Sequence, residues 1–173
     1  MKNHNQITEM LEIYRQNPEK GFALIYQAFS APVFRYLRNS FTLSREEAED
    51  ILHNVFLPWV QNPQKFATVE NPTAYLFTSA RNAALKKRAQ PREQSVTAEP
   101  ASHGHENQVE DAMLISRALS ALPEEQKEAV VLKVWTDMTF EEIAEVQQCS
   151  LQTVASRYRY AIARLKELIP WNR

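Results

Sequence analysis

Apolar residues recur at steps of three and four along most of this chain of 173 residues, which is the spacing of one face of an α-helix. Between residues 5 and 89, prolines and short polar residues mark the helix boundaries. Asn17-Pro18 predicts the start of one helix, and Pro32 is expected to interrupt it. Residues 44–47 form a capping-box sequence, which predicts a further helix running to about Val60.

The domain organisation is predicted from the next boundaries. Asn71-Pro72 predicts the start of another helix, with the Asn side chain as N-cap. Residues 90–108 then contain proline, glycine and only Val96 as a large apolar residue, which indicates a linker. Only two glycines occur in the whole chain, so we do not expect tight β-hairpin turns, which commonly need glycine. We therefore expect an all-α protein with two small helical domains, residues 1–89 and 109–173, joined by a flexible linker.

The second domain carries the pattern of a helix-turn-helix. A capping box that begins at Thr139 predicts a short helix from Phe140 to about Gln147. Ser150 can cap a following helix, and the short break between the two is typical of a steep helix-turn-helix crossing. The expected buried stripe of this last helix comprises Leu151, Val154, Tyr158, Ile162, Leu165 and Ile169.

The opposite face of that last helix has the chemistry of a DNA-binding surface. It carries small polar residues near its start and cations further along: Gln152, Thr153, Ala155, Ser156, Arg157, Arg159 and Lys166. Short polar side chains can contact base edges in the major groove, and cations can neutralise phosphates. The same pattern also occurs in ordinary helical bundles, so the motif alone leaves both interpretations open.

Charge is segregated along the chain although the net charge is only -1. Residues 81–92 contain five basic residues and no acid, and residues 150–173 contain five basic residues and one acid. Residues 93–149 contain twelve acids and three bases. The two basic segments are candidate contacts for a polyanion, although cations near helix C-termini also simply complement the helix dipole.

Several classes of chemistry are disfavoured. The single Cys149 cannot form an intramolecular disulfide, and His103 and His105 have no nearby cysteine or convergent carboxylate, so we expect no metal site. No Gly-rich phosphate loop, nucleophile motif or paired Glu-x-x-His motif is present, and we expect no cofactor and no enzyme activity. No segment is long and apolar enough to span a membrane, and the polar start lacks a signal peptide, so a cytoplasmic location is expected.

At this point the motifs resemble the sigma-70 family of bacterial RNA polymerase sigma factors, in particular the extracytoplasmic-function (ECF) group. Residues 122–128, 140–144 and 153–157 are similar in order and spacing to region 4 of that group. Residues 48–56 resemble its region 2.2 helix, and residues 71–82 resemble its promoter-melting helix. The chain departs from the family pattern at four positions, where the family usually has Gln, Trp, an acid and Gly: Asn54, Tyr75, Lys86 and Gln148.

The resemblance implies a factor that binds core RNA polymerase and directs promoter-specific initiation, by recognising the -35 and -10 elements and assisting DNA melting. It implies that the clamp helices of the polymerase contact Asp50, Leu52, Asn54 and Phe56, although Leu52 and Phe56 could equally face the core. The implied residues for the single-stranded -10 element are Phe66, Tyr75, Arg81, Asn82, Lys86, Lys87 and Arg88, although Phe66 could equally be an ordinary core residue. The implied residues for the -35 element are Gln152, Thr153, Ala155, Ser156, Arg157 and Arg159. The polymerase flap and an anti-sigma factor are further partners that the resemblance implies.

Two alternatives remain open at this stage. A free-standing helix-turn-helix regulator would bind duplex DNA without polymerase, often as a dimer on paired half-sites. An enzyme built on a helical bundle would need a convergent polar site, for which the sequence offers no motif.

Overall fold

The computed structural model describes residues 4–89 and 106–169, which fold into helices joined by short connections. The first lobe comprises α1 (His4–Gln16), α2 (Pro18–Ser40), α3 (Arg45–Gln61), α4 (Pro63–Phe66) and α5 (Pro72–Ala89). The second lobe comprises α6 (Glu106–Ser120), α7 (Glu124–Thr136), α8 (Phe140–Gln147) and α9 (Leu151–Leu168). The described residues contain no strand, so the all-α prediction is confirmed.

The predicted helix starts are found where local sequence specifies them. The Asn17 side chain accepts a hydrogen bond from the Lys20 backbone amide at 3.0 Å, with proline in the first turn of α2. Ser44 and Glu47 form both halves of the expected capping box at the start of α3. Each cap satisfies backbone amides that have no partner inside the helix, which fixes where the helix begins.

The prediction that Pro32 interrupts its helix is wrong. Helix α2 continues through Pro32 to Ser40, and Val33, Tyr36 and Leu37 beyond the proline are completely buried. A proline inside a helix removes one hydrogen bond and adds a steric conflict, at a cost of about 3 kcal/mol. Burial of a large apolar side chain contributes roughly 1.5–3 kcal/mol, so the packing of the second half of α2 offsets that cost.

Helix α1 crosses α2 in backbone contact at Gly21. A Cβ atom at this position would lie 2.2 Å from the Tyr14 Cα, so only glycine fits the crossing. Tyr14 is buried and its hydroxyl donates to the Trp59 carbonyl at 2.5 Å. Arg15 donates from Nε to the Ala67 carbonyl at 2.9 Å, which connects α1 to the segment between α4 and α5.

The second lobe has a small apolar cluster of its own, formed by Ala118, Leu119, Leu122, Val130, Ala161 and Leu165. In α9, Val154 and Leu165 of the predicted stripe are buried, its other later members are half-buried, and Ala161 is buried although it was not predicted. Leu151, the first predicted member, is 45% exposed. The reason is that Leu151 is the first residue of α9, before the part of the helix that packs on its neighbours.

The two lobes also pack against each other, α2 against α7 and α5 against α8. Their side chains form one continuous apolar cluster, to which the second lobe contributes Val131, Leu132, Met138, Ile143, Val146 and Val154. The predicted linker lies largely at residues 90–105, outside the described residues, together with His103 and His105. Helix α6 begins at Glu106, three residues before the predicted start of the second domain at residue 109. Contact between the domains was not predicted.

Candidate nucleic-acid and polymerase interfaces

Helices α8 and α9 form the predicted helix-turn-helix. Thr139 and Glu142 make a complete capping box at the start of α8, and Ser150 caps α9 by accepting from the Thr153 amide at 3.1 Å. Gln148 adopts the left-handed conformation, with φ 53° and ψ 47°, and ends α8. A residue in this conformation reverses the chain direction, so three residues suffice to connect the two helices.

A shallow groove of about 430 Å³ lies beside the N-terminal half of α9. It is lined by four residues of the predicted -35 set together with three others: Gln152, Thr153, Ser156, Arg157, Gln126, Ser150 and Tyr160. Gln126 comes from α7 and lies in the motif at residues 122–128, but the sequence assigned it no DNA contact, because only the fold places α7 beside the start of α9. The groove offers hydroxyl and amide groups and one guanidinium, which are the groups that hydrogen-bond base edges and phosphates.

The members of the -35 set differ in their solvent exposure and in their contacts with the rest of the protein. Gln152, Thr153 and Arg159 are exposed, whereas Ala155 and Ser156 are half-buried. Arg157, also a member of that set, is held at the turn, where its Nη1 donates to Gln147 Oε1 at 3.0 Å and approaches Cys149 Sγ at 3.3 Å. Its guanidinium therefore lines the groove close to the turn between α8 and α9.

Three aromatic rings cluster in the first lobe at the predicted -10 surface. Phe66 lies between Trp59 and Tyr75, with ring centroids 4.8 and 5.3 Å apart respectively. Phe66 is 1% exposed, so it is a core residue in this arrangement, whereas Tyr75 is half-buried. Asn71 caps α5 by accepting from the Ala74 amide at 3.0 Å, as its sequence predicts. Tyr75 is thus the ring of this set that reaches the surface.

The polar and basic residues of the -10 set on α5 fall into two groups. Asn82, Lys86 and Lys87 are exposed and carry their side chains to solvent. Arg81 and Arg88 instead pair with acids of the second lobe. Arg81 Nε lies 3.0 and 3.1 Å from the two carboxylate oxygens of Glu128, and Arg88 Nη2 lies 2.6 Å from Glu124.

These pairs alter the titration of the groups around them. The hydrogen bond from Arg88 lowers the pKa of Glu124. Burial raises the pKa of Tyr36 well above its ordinary value, and the adjacent Glu128 carboxylate raises it further. Burial also lowers the pKa of Lys127. Of the two pairs, Arg81 and Glu128 lie in a largely desolvated setting, with side chains 15% and 6% exposed, where opposite charges attract more strongly than in water.

The predicted polymerase-binding residues of α3 lie at different depths. Asp50 and Asn54 are exposed, and Leu52 is half-buried against the core. Phe56 is 2% exposed and packs edge-on against the Tyr26 ring, with centroids 5.0 Å apart. Phe56 therefore supports Tyr26, which is 43% exposed, and is not itself available for a partner.

Exposed apolar residues extend this α2–α3 surface beyond the predicted set. Besides Tyr26 they are Leu57 at 36% and Val60 at 57% exposure. A cluster of exposed apolar side chains beside the exposed Asp50 and Asn54 has the composition of a protein-binding surface. The sequence signal that could have identified it is Val60, an apolar residue one helical turn after Phe56.

No helix in the part of the chain that the structure describes is long and apolar enough to cross a membrane. Among the same residues, His, Cys, Asp and Glu side chains form no group of three that could hold a metal ion.

Family models match both lobes. The model for sigma-70 region 2 matches residues 25–92, and the model for sigma-70 region 4 matches residues 112–165. The chain is 30% identical over 167 residues to the ECF RNA polymerase sigma factor RpoE of Cereibacter sphaeroides, which covers 91% of each protein. It is 28% identical over 151 residues to the ECF RNA polymerase sigma factor SigL of Mycobacterium tuberculosis, covering 82% of this chain and 85% of SigL.

Solved structures share the fold. The sigma factor RpoE from Bartonella quintana, in complex with the anti-sigma factor NepR, has a TM-score of 0.66 at 26% identity. The alignment covers 91% of this chain and 99% of that one. CnrH in complex with the cytosolic domain of CnrY has the same TM-score at 18% identity, over 92% and 94% of the two chains, and shows similarity of fold alone.

Proposed function

Because the chain belongs to the extracytoplasmic-function group of the sigma-70 family, we propose a separate role in promoter recognition for each of its three surfaces. Members of this family are non-enzymatic factors that direct RNA polymerase to promoters. The second lobe recognises the -35 element, the first lobe binds the -10 element, and the α2–α3 surface docks on the polymerase. The observation that carries the proposal is the groove along α9, since it joins residues of the helix-turn-helix into one polar surface.

At the -35 element, α9 enters the major groove of the duplex with its N-terminal half. Gln152 and Arg157 supply the amide and guanidinium that pair with purine edges, and Ala155 can contact a thymine methyl. Ser150, Thr153 and Ser156 are the residues for phosphate contacts, and exposed Arg159 adds a cation further along the helix.

At the -10 element, the exposed face of α5 contacts the single strand. Tyr75 offers a ring for stacking with a base, and Asn82, Lys86 and Lys87 follow the phosphate backbone. Phe66 contributes by holding Tyr75 in place, because its own ring is buried. Arg81 and Arg88 join this surface only when their acidic partners on the second lobe are released.

The polymerase clamp docks on the α2–α3 surface. Tyr26 and Val60 are the apolar anchors, with Asp50 and Asn54 as the polar rim and Leu52 between them. The second lobe docks on the flap. The protein acts in the cytoplasm, and an anti-sigma factor binds it when initiation is to be prevented. Support for that partner comes from the similar sigma factor RpoE of Bartonella quintana, which was solved in complex with the anti-sigma factor NepR.

The test is transcription by purified core polymerase on a pool of promoter fragments, with and without this protein. Transcripts that begin only when both are present, at promoters with shared -35 and -10 sequences, are the expected result. Duplex binding by the protein alone is measured in parallel. If the protein shifts a duplex but core polymerase ignores it, the assignment of the α2–α3 surface is wrong and a free-standing regulator takes its place.

Variants test the assignment of the groove. Gln152→Ala should change which -35 sequences are used, because an amide that pairs with a base edge carries sequence information. Arg164→Ala is the matched control, since Arg164 is an exposed cation of the same helix, paired with Glu167 at 2.7 Å outside the groove. A Gln152→Ala variant with the promoter preference of the parent would remove α9 as the specificity element.

A further inference from the structure

A buried amide lies next to the -35 groove without lining it. Gln147 on α8 is 5% exposed and is not among the groove residues. Its Nε2 donates to the Glu125 carbonyl and to Glu128 Oε2, both at 2.9 Å. Its Oε1 accepts from Arg157 Nη1 at 3.0 Å. Gln147 therefore connects α7 to the guanidinium in the groove lining, and every partner in this chain of contacts belongs to the second lobe.

The neighbours of this amide permit only one orientation. With the amide reversed, its oxygen would face the Glu128 carboxylate and the Glu125 carbonyl, and its NH2 group would face the Arg157 guanidinium. Both contacts would be repulsive, because an acceptor would meet acceptors and donors would meet donors. A reversed amide would also leave buried polar groups unpaired, which destabilises a site closed to water. The Gln147 oxygen is therefore fixed toward Arg157.

This contact leaves one edge of the Arg157 guanidinium free. Nη1 donates to Gln147 Oε1 and approaches Cys149 Sγ at 3.3 Å, which engages both of its N–H groups. Within the part of the chain that the structure describes, Nε and Nη2 have no hydrogen-bond partner. These two atoms present parallel donors, which match the O6 and N7 acceptors of a guanine in the major groove.

The same contact limits where the arginine can reach. An unrestrained arginine on the surface of a helix can extend toward a phosphate, because its side chain is long and flexible. Arg157 is half-buried and held at the turn, beside Gln152 and Ser156 of the groove lining. Its free edge therefore stays among the residues that are placed to contact bases.

We propose that Gln147 is a positioning residue for -35 recognition, which holds Arg157 so that its Nε and Nη2 donors face a guanine. This role rests on the proposed function, in which α9 enters the major groove. A mobile arginine loses rotamer freedom when it binds a base, whereas Arg157 has already lost it in the folded protein. Gln147 thereby strengthens discrimination at one base pair without contacting DNA itself.

Gln147→Met is the variant that tests this role. It removes the amide and keeps an unbranched side chain of similar length and helix propensity. Thr136→Val is the matched control, because it also removes a buried hydrogen-bonding group from the second lobe. Thr136 is 1% exposed at the end of α7, and its hydroxyl donates to the Leu132 carbonyl, outside the groove. Arg157→Ala and the double variant complete a double-mutant cycle.

Promoter use by the full chain with core polymerase is measured on a pool in which the -35 base pairs are randomised. The parent should prefer guanine at one position, and Arg157→Ala should lose that preference. Gln147→Met should reduce the same preference by about three- to tenfold, since the arginine must then be immobilised on binding. In the Arg157→Ala background, Gln147→Met should change promoter use by less than about twofold, and Thr136→Val should stay within about twofold of the parent.

A folded Gln147→Met variant with the guanine preference of the parent would overturn the proposal. A loss that is equal on all sequences, or that persists undiminished in the Arg157→Ala background, would also overturn it, because it would indicate a structural role alone. Circular dichroism establishes folding.

Nitrogen-15 relaxation of the free parent keeps the proposal testable if Gln147→Met is unfolded. Arg157 Nε should be as rigid as the backbone, with an order parameter of about 0.85, whereas the exposed Arg117 should be below about 0.6. Equal mobility of the two side chains would overturn the proposal.

Transcription with core polymerase separates this failure from a failure of the proposed function. A parent that initiates with core while Gln147→Met has the same -35 preference refutes the positioning role alone. A parent that never initiates with core refutes the proposed function, whatever the relaxation of Arg157 shows.

Discussion

Gly21→Ala should destabilise the first lobe by about 2–4 kcal/mol, because the added methyl meets backbone and not a movable side chain. The new Cβ would lie 2.2 Å from the Tyr14 Cα and 2.4 Å from the Tyr14 amide nitrogen, so α1 must move away from α2. Overpacking that side chains can absorb costs typically 1–3 kcal/mol. Here the movement also uncovers part of Met10, Leu11 and Tyr14, each worth roughly 1.5–3 kcal/mol when fully buried. Alanine has a better helix propensity than glycine, which offsets about 1 kcal/mol of this loss in stability.

The assay is urea unfolding followed by far-UV circular dichroism and by the fluorescence of buried Trp59. Lys20→Ala, an exposed neighbour in the same helix, controls for helix propensity. We also expect weaker polymerase-dependent transcription with unchanged -35 duplex binding, because Arg15 connects α1 to the Ala67 carbonyl beside the -10 surface. A Gly21→Ala free energy of unfolding within about 0.5 kcal/mol of the control would refute the reasoning, since a backbone conflict of this size cannot be neutral.

Three further outcomes are expected. Gln148→Gly should raise the free energy of unfolding by about 0.5–1 kcal/mol in chemical denaturation, because Gln148 has φ 53° and glycine adopts that conformation without steric cost. A lower free energy of unfolding would contradict the turn geometry. Arg157→Ala should weaken the free energy of DNA binding by about 1–3 kcal/mol on the best promoter alone if Arg157 contacts a base. If Arg157 contacts phosphate, the loss should be similar on all sequences. Unchanged binding on every sequence would exclude both roles. The ion pair between Arg88 and Glu124 contributes its full stability above the ordinary carboxyl pKa of 4.5, and this contribution is lost as the pH falls through the lowered pKa of Glu124. Glu124→Gln should therefore slightly reduce the loss of unfolding free energy on acidification, because the exposed pair contributes little. The same pH dependence in variant and parent would count against the pair.

Local features of this fold could be predicted because neighbouring residues determine them. The capping boxes at Ser44 and Thr139, the Asn71 cap and the helix-turn-helix all follow from residues three or four positions apart. The resemblance to region 2 and region 4 is also confirmed, and its motifs could be recognised because each is a short run of consecutive residues.

Features that depend on distant contacts were missed. The continuation of α2 through Pro32 depends on tertiary burial of Tyr36 and its neighbours. The pair between Arg81 and Glu128 joins residues 47 positions apart, and charge counting could show only that opposite charges occur in successive segments. Depth within the core likewise decides that Phe66 supports a surface and does not form it.

The apolar cluster shared by the two lobes has a consequence for synthesis. The first lobe ends at Ala89, but α2 and α5 are covered by residues 131–154, which the ribosome adds later. At about 5–20 residues per second, the nascent first lobe emerges several seconds before the helices that complete its core. During that interval it exposes apolar surface and an unpaired Arg81, so a chaperone or the polymerase itself can reach this face before the second lobe does.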